Sequence, residues 1–326
     1  MTHTDVSTSK KLLLLKPRGF CAGVVRAIDI VRIALETFGA PIYVRREIVH
    51  NRYVVDDLSS KGAIFVNEID EVPEGARVIY SAHGVAPEVR AASKGRGLRV
   101  IDATCPLVTK VHVEAAKFAR QGYSILLIGH HDHEEVVGTL GEAPTVTQIV
   151  GSPEEVETVT VSDPDKVAYI TQTTLSLDEA GQIIAALKKK FPKIHEPAAQ
   201  DICYATENRQ VAVKQVAGDT DLLLVVGSEN SSNSNRLVEV ARNLGRASHL
   251  IDSYTDIQSE WLKNVQTISL TAGASAPEVL VQEVVEFLAN EGFTDVEEIE
   301  VMPENVRFGL PPEIVQAIAA APAARS

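Results

Sequence analysis

Three cysteines, the only ones in 326 residues, each stand between a predicted strand and a predicted helix. Cys21 follows the apolar residues 12–15, Cys105 follows residues 99–102, and Cys203 follows Asp201 and Ile202. Apolar residues at helical spacing come after each cysteine. A helix N-terminus carries partial positive charge and free N–H groups, and it therefore favours the thiolate over the thiol. Three thiolates at like corners predict one shared metal site.

The sequence after each cysteine repeats as well. His50, His133 and Ser231 stand 28 or 29 residues beyond Cys21, Cys105 and Cys203, each after a strand-like run. A third strand and a polar loop close each copy, and residues 86–89 are identical to residues 276–279. We interpret the pattern as a threefold internal repeat. It predicts three α/β domains, which are residues 1–103, residues 104–199, and residues 200–326 with a C-terminal arm.

Composition favours an α/β protein with mainly parallel sheets. Apolar residues make up 45% of the chain, only 5% is aromatic, and Val, Ile, Leu and Ala predominate. Parallel strands are covered by helices on both faces and therefore have nearly continuous apolar runs. The alternation of such runs with helical stretches indicates βαβ units.

The charge of the chain argues against nucleic acid and anionic membranes as partners. Acidic residues number 44 against 31 basic ones, which gives a net charge of −13, and no basic run is longer than the helix end Lys188 to Lys190. No segment approaches the roughly 20 apolar residues of a membrane span. We therefore expect a cytoplasmic protein whose partner is a small substrate or an electron-transfer protein. The odd number of cysteines argues against a disulfide framework.

Two kinds of metal centre suit three thiolates. Zinc is one alternative, but structural zinc sites usually contain a C-x₂₋₄-C pair, and this chain has none. An iron–sulfur cluster is the other, and we favour it because the ligands are spread one to a domain. Three ligands would leave one iron of a four-iron cluster open to substrate.

Several polar loops predict an anion site. Residues 227–236 contain four serines and three asparagines between a strand and a helix, which exceeds what a helix cap requires. Ser275 precedes a proline at a predicted helix start. His50 and His83 would add donors, although a single loop histidine is more often structural.

A further histidine and carboxylate segment spans residues 130–135. Adjacent side chains diverge, so this segment does not predict a metal site of its own. We interpret His133 and Glu135 as a proton-delivery pair, because a carboxyl group in a dry pocket can hold a proton near neutral pH. Thr173 is a candidate for orienting a substrate hydroxyl, and its alternative role is a helix cap.

Together these residues resemble the LytB family of 4-hydroxy-3-methylbut-2-enyl diphosphate reductases, which catalyse the last step of the methylerythritol phosphate route to isoprenoids. The resemblance covers nearly the whole chain through seven ordered motifs. They are Gly19-Phe20-Cys21-Ala22-Gly23-Val24, Ser81-Ala82-His83-Gly84, Asp102-Ala103-Thr104-Cys105-Pro106, Thr171-Gln172-Thr173-Thr174, Asp201-Ile202-Cys203-Tyr204-Ala205-Thr206, Ser231-Ser232-Asn233-Ser234-Asn235-Arg236 and Ala272-Gly273-Ala274-Ser275-Ala276-Pro277.

The resemblance implies a [4Fe–4S] cluster on Cys21, Cys105 and Cys203 at the centre of a pseudo-threefold cloverleaf of three domains. It implies an electron donor such as ferredoxin or flavodoxin, with Glu135, Thr173 and His133 as catalytic residues. The implied diphosphate ligands are His50, His83, His133, Ser231, Ser232, Asn233 and Ser275. One position departs from the family, which usually has His-Pro-Glu where this chain has His133-Glu134-Glu135.

Two other functions remain open at this point. A cluster-based dehydratase would turn over without an electron donor. A redox or phosphate sensor would bind a ligand without converting it, although no DNA-binding or partner helix is evident in the sequence.

Overall fold

The computed structural model describes residues 10–320. Within this range the strands are β1 (Lys11–Lys16), β2 (Ile42–Arg45), β3 (Ala63–Val66), β4 (Arg77–Tyr80), β5 (Arg99–Asp102), β6 (Ser124–Ile128), β7 (Thr147–Val150), β8 (Val167–Thr171), β9 (Leu222–Val226), β10 (Ala247–Ile251), β11 (Thr267–Ala272) and β12 (Asp295–Glu300). The α-helices are α1 (Ala22–Phe38), α2 (Arg52–Ser60), α3 (Pro87–Gly95), α4 (Pro106–Arg120), α5 (Glu134–Gly141), α6 (Pro153–Thr158), α7 (Leu177–Lys190), α8 (Tyr204–Val216), α9 (Ser232–Asn243), α10 (Glu278–Asn290) and α11 (Pro312–Ala320).

The strands form three sheets, with strand orders β10-β9-β11-β1-β12, β3-β2-β4-β5 and β7-β6-β8. Every strand pair in these sheets is parallel. All five residues of β9 and all five of β8 are buried, as expected for strands covered on both faces. The structure confirms the predicted α/β class with mainly parallel sheets.

The described chain divides into two compact units. The cysteine unit, residues 21–204 and 306–320, contains the four-stranded and three-stranded sheets and all three cysteines. The five-stranded unit, residues 10–20 and 205–305, contains the remaining sheet. The domain boundaries after residues 103 and 199 stay a prediction.

The strand before Cys21 differs from the sequence-based prediction in its partners. We assigned residues 11–16 to the first predicted domain, but β1 pairs with β11 and β12 in the five-stranded sheet. Leu12, for example, lies opposite Ile268 and Val296. The local apolar pattern predicts that residues 12–15 form a strand. Which sheet this strand joins depends on partner strands that are far away in sequence.

The C-terminal arm packs in two places. β12 pairs with β1 and forms an edge of the five-stranded sheet. Further on, α11 packs against α1 within the cysteine unit. There the guanidinium of Arg26 donates hydrogen bonds to the carbonyl of Gly309, at 2.7 Å, and to the carbonyls of Ala103 and Thr104. These bonds hold the arm beside the turn that leads to Cys105. Within residues 10–320, no helix has the length and apolar character needed to cross a membrane.

Candidate functional site

Each cysteine stands at the corner where a helix begins. Cys21 is the N-cap residue of α1, Cys105 is the N-cap residue of α4 with Pro106 in its first turn, and Cys203 directly precedes α8. All three are half-buried free thiols. Proline suits this position because the first helical N–H has no intrahelical partner. The local pattern of strand, turn and helix predicted from the sequence is therefore confirmed at Cys21 and Cys105. At Cys203 the predicted strand is wrong, because β8 ends at Thr171 and the described chain has no strand between it and α8.

The sulfur atoms of Cys21 and Cys105 both lie close to Gly23. An ideal Cβ built on Gly23 would lie 2.8 Å from Sγ of Cys105 and 3.8 Å from Sγ of Cys21. The thiol of Cys203 is close enough to Cys105 to raise the pKa of the Cys105 thiol. Tyr204, the residue after Cys203, accepts a hydrogen bond on its hydroxyl from the N–H of Ala22 at 3.1 Å. The cysteine unit therefore brings the three thiols together. Three thiols are soft ligands of the kind that iron–sulfur clusters use, and Gly23 has no side chain to crowd them. These features fit an iron–sulfur cluster.

Burial outweighs the helix N-terminus in setting the ionisation of Cys105. Burial raises the pKa of this thiol to about 12, the backbone N–H groups of Leu107 and Val108 lower it, and the neighbouring thiols of Cys21 and Cys203 raise it. The effect expected from the helix start is present but smaller than the desolvation. A bound metal reverses this balance, because its positive charge deprotonates a coordinating thiol.

Thr173 joins the third cysteine to Glu135. The carbonyl of Thr173 accepts a hydrogen bond from the N–H of Cys203 at 3.0 Å. Its N–H donates to Oε1 of Glu135 at 2.6 Å, and its hydroxyl donates to Oε2 at 2.9 Å. A single residue of the loop after β8 thus links a cysteine corner to a carboxyl group that is only 2% exposed.

Glu135 is held where it can carry a proton near neutral pH. Burial raises the pKa of Glu135 to about 7, the two hydrogen bonds from Thr173 lower it, and the Asp201 carboxylate raises it. Asp201 is itself buried, 2.8 Å from Nζ of Lys110 and bonded to the N–H of Thr171. Burial raises the pKa of Asp201 to about 6, although the nearby ammonium of Lys110 acts to lower it.

Three imidazoles cluster in the same unit. The rings of His50 and His83 are stacked, with centroids 4.0 Å apart and an interplanar angle of 17°. The ring of His133 stands edge-on to both, at 5.8 Å from His50 and 6.1 Å from His83. Two histidines at matching positions of the predicted repeat and a third from another loop therefore present nitrogen atoms to one region.

The imidazole of His133 is a neutral donor. Its Nδ1 accepts a hydrogen bond from the N–H of Glu135 at 3.2 Å, so the ring hydrogen is on Nε2. Burial lowers the pKa of His133 to about 3, and the neighbouring His83 and His50 rings lower it as well. Burial and the adjacent His50 ring also lower the pKa of His83, although Glu134 opposes them.

Glu134, the residue that departs from the family pattern, has a different environment from Glu135. Its Oε2 lies 3.4 Å from Nδ1 of His83. Burial acts to raise the pKa of Glu134, but His83, His50 and the guanidinium of Arg46 together outweigh burial and lower it. Glu134 is therefore a carboxylate, whereas Glu135 can hold a proton. The two adjacent carboxyl groups separate by environment in a way that the sequence alone leaves open.

The five-stranded unit carries the predicted serine and asparagine cluster. Oγ of Ser231 lies 3.3 Å from Oγ of Ser275 and accepts hydrogen bonds from Asn233 and Ser234, each at 2.9 Å. Oδ1 of Asn233 accepts a hydrogen bond from the N–H of Ala274 at 2.7 Å. Ser231 and Ser275 are 1% and 4% exposed, and Ser232 begins α9. The loops after β9 and β11 thus bring the predicted anion donors of this unit together.

Sequence reasoning gave no role to three residues of these clusters. Ser234, with 0% exposure, supports Ser231 from one turn along α9. Asp201 and Glu134 were visible in the motifs, as the residue two before Cys203 and the residue between His133 and Glu135. Burial and partners distinguish these residues from ordinary surface acids, and neither property can be obtained from a single sequence.

The parallel sheets and the three clustered cysteines define an α/β protein with a candidate iron–sulfur centre. A sequence model of the family described as LytB protein matches residues 12–289. The chain belongs to this family. A 4-hydroxy-3-methylbut-2-enyl diphosphate reductase of Leifsonia xyli subsp. xyli is 55% identical over 315 residues, which are 96% of this chain and 94% of the relative. The enzyme of the same name from Mycolicibacterium gilvum is 57% identical over 309 residues, with coverage of 94% and 93%.

Solved structures agree with this assignment. The E-1-hydroxy-2-methyl-but-2-enyl-4-diphosphate reductase of Plasmodium falciparum is 42% identical and has a TM-score of 0.93, over 95% of this chain and 98% of that one. A second structure is described as (E)-4-hydroxy-3-methyl-but-2-enyl diphosphate reductase, the terminal enzyme of the non-mevalonate pathway. It is 30% identical, with a TM-score of 0.61 over 86% of this chain and 99% of that one.

Proposed function

We propose that this chain is an iron–sulfur reductase that converts 4-hydroxy-3-methylbut-2-enyl diphosphate to isopentenyl diphosphate and dimethylallyl diphosphate. Family membership supports this proposal, because the relatives with this reductase name match over more than nine-tenths of both chains. The observation that carries it is Thr173, whose carbonyl binds the N–H of Cys203 while its N–H and hydroxyl bind Glu135. A candidate proton source is thus joined to a candidate cluster ligand.

Cys21, Cys105 and Cys203 are the residues that would hold a [4Fe–4S] cluster through three of its irons. When bound, the cluster would supply electrons one at a time and an iron able to act as a Lewis acid toward the allylic hydroxyl. Gly23 keeps the space beside two of the sulfurs free of side-chain atoms. We propose ferredoxin or flavodoxin as the electron donor and the cytoplasm as the location.

The reaction removes a hydroxyl group as water and consumes two electrons and two protons. Glu135 holds a proton in a dry environment, and the Thr173 hydroxyl, bonded to Oε2 of Glu135, connects that proton to the substrate hydroxyl. Protonation of the allyl fragment at either end then gives one or the other product. Burial of Glu135 limits loss of the proton to bulk water.

The diphosphate is bound by neutral donors in this proposal. His133 offers its Nε2 hydrogen, and His50 and His83 offer theirs from the stacked pair. Ser231, Ser232, Asn233 and Ser275 of the five-stranded unit take the same role by the family resemblance. Their hydroxyl and amide groups, beside the start of α9, suit phosphate oxygens.

The test is turnover by anaerobically prepared protein with and without a reductant. We expect consumption of 4-hydroxy-3-methylbut-2-enyl diphosphate and formation of both products only when an electron donor is present. Turnover without a donor would favour the dehydratase alternative. Binding without conversion, unchanged by Glu135→Gln, would favour a sensor and contradict the proposal.

A further inference from the structure

Two histidines and one carboxylate of the cysteine unit converge outside the cysteine cluster. One nitrogen of His50, one nitrogen of His83 and one carboxylate oxygen of Glu134 all lie within 4.8 Å of one another. His50 and His83 come from the loops after β2 and β4, and Glu134 is the first residue of α5, which follows β6; all three lie beyond the carboxyl ends of parallel strands. Adjacent residues in one loop cannot converge in this way, which is why the sequence gave no metal site here.

Glu134 has an oxygen whose bonding capacity is unused. Its Oε2 is shielded from solvent and makes no hydrogen bond within the described part of the chain. The contact with Nδ1 of His83, at 3.4 Å, is an ion-pair distance and too long for a strong hydrogen bond. A buried carboxylate oxygen without a hydrogen bond is costly unless another cation completes its surroundings.

We propose that His50, His83 and Glu134 form a binding site for one divalent transition-metal ion of the zinc class, and that this ion competes with the diphosphate substrate. Two imidazoles and one carboxylate are a donor set that zinc accepts, with metal–ligand distances of about 2.0–2.2 Å. Ligand atoms around tetrahedral zinc lie roughly 3.4 Å apart, so a spread of 4.8 Å closes with small side-chain movements. The nitrogen donors favour transition metals over magnesium and calcium.

The competition follows from shared ligands, and this part of the inference rests on the proposed function. His50 and His83 are proposed donors to the diphosphate, and a nitrogen that coordinates a metal has no hydrogen to donate. Glu134 adds negative charge beside the same rings, which opposes an anion and attracts a cation. A metal ion and the diphosphate therefore compete for the same pair of neutral imidazoles.

The direct test is calorimetric titration of zinc chloride into anaerobic cluster-loaded protein, in which the cysteines are occupied. We expect one zinc site per chain that Glu134→Gln weakens at least tenfold. The matched control is Glu155→Gln, which removes the carboxylate of the surface pair His131–Glu155, with Nε2 and Oε2 3.0 Å apart. That control should leave the zinc affinity unchanged.

Kinetics test the competition. Zinc should raise KM for the diphosphate substrate in the wild-type enzyme by a larger factor than in Glu134→Gln. Chelation of zinc by the substrate would raise KM equally in both proteins and would overturn the competition. Equal zinc affinity of wild type and Glu134→Gln would overturn the site itself.

Anomalous scattering from zinc-soaked wild-type crystals tests the site without any variant. An ion between His50, His83 and Glu134 supports the proposal, and an ion only at other positions overturns it. The outcomes also separate the two proposals. Turnover without a zinc site leaves the reductase proposal intact, whereas a Glu134-dependent zinc site without turnover contradicts only the reductase proposal.

Discussion

At the scale of single residues, environment divides two neighbouring carboxyl groups into two functions. Glu135 is enclosed and bonded by Thr173, and burial raises its pKa to about 7. Glu134 faces imidazoles, and His83, His50 and Arg46 outweigh burial and lower its pKa. A proposed proton donor and a proposed cation ligand are therefore adjacent residues at the start of α5. The sequence pattern His133-Glu134-Glu135 suggested the first role but could not exclude exchange of the two.

Replacing Glu135 by Gln removes the proton source and keeps the shape of the side chain. We expect turnover to fall by about 10²- to 10⁴-fold, the range typical of a lost general acid. Iron content and substrate affinity should remain near wild type, because Glu135 is not a proposed ligand of either group. Single-turnover kinetics measure the effect. Glu157→Gln, at an exposed position of α6, is the control. An equal loss in both variants would contradict the role of Glu135.

The pH dependence of turnover follows from the same carboxyl group. Because the acid must be protonated and its pKa is raised to about 7, turnover should fall tenfold per pH unit above that value. The Thr173 hydroxyl lowers the pKa of Glu135, so Thr173→Val should move the alkaline limb to higher pH as well as slow the reaction. A kcat–pH profile of both proteins measures this. A limb that stays fixed, or moves to lower pH, would contradict the assignment.

At the scale of elements, two helix starts bring cysteine sulfurs close to one glycine. α1 and α4 begin at Cys21 and Cys105, and Gly23 in the first turn of α1 leaves room beside both sulfurs. The position of each of these two cysteines at a helix start could be predicted from the sequence, because a strand, a polar turn, a cysteine and a helical apolar pattern are all local features. The pKa of Cys105 could not, since it depends on how completely other segments enclose the thiol.

Gly23→Ala tests this space. The added Cβ would lie 2.8 Å from Sγ of Cys105, closer than such contacts occur, so the sulfur or the helix must move. We expect the variant to fold but to lose most of its iron after anaerobic reconstitution. Gly181→Ala in α7 is a matched control, since its Cβ would meet no atom within 4 Å. The control should retain iron and gain roughly 0.5–1 kcal/mol in free energy of unfolding. Equal iron contents would contradict the argument.

A buried arginine supports the segment that leads to Cys21. Arg209 on α8 is 1% exposed and donates to the carbonyl of Gly19 at 2.7 Å and to Glu304 at 3.0 Å. Arg209→Met should lower the free energy of unfolding by about 3 kcal/mol. This loss is at the lower end of the range for breaking a buried ion pair, and we choose the lower end because the Glu304 side chain is 15% exposed.

Denaturant unfolding measures the loss in Arg209→Met. Arg52→Met, at a side chain that is 84% exposed, should change stability little. A similar small change for Arg209→Met would show that Gly19 and Glu304 are held by other contacts.

At the scale of the whole molecule, three cysteines that are far apart in sequence interact within one compact unit. Fold class and the corners at Cys21 and Cys105 could be predicted because they depend on composition and local pattern. The membership of β1 in the five-stranded sheet could not, since residues 11–16 carry no information about partners near residues 267 and 295. The proposed cation site of His50, His83 and Glu134 could not be predicted for the same reason, because its ligands come from three segments that are separate in sequence.

Iron and acid-labile sulfide analysis of protein purified without air tests the central claim most directly. We expect about four irons and four sulfides per chain for a [4Fe–4S] cluster on three thiolates, with loss of that iron when Cys21, Cys105 or Cys203 is replaced by serine. A folded, colourless protein that contains zinc at the cysteines and no sulfide would contradict the account.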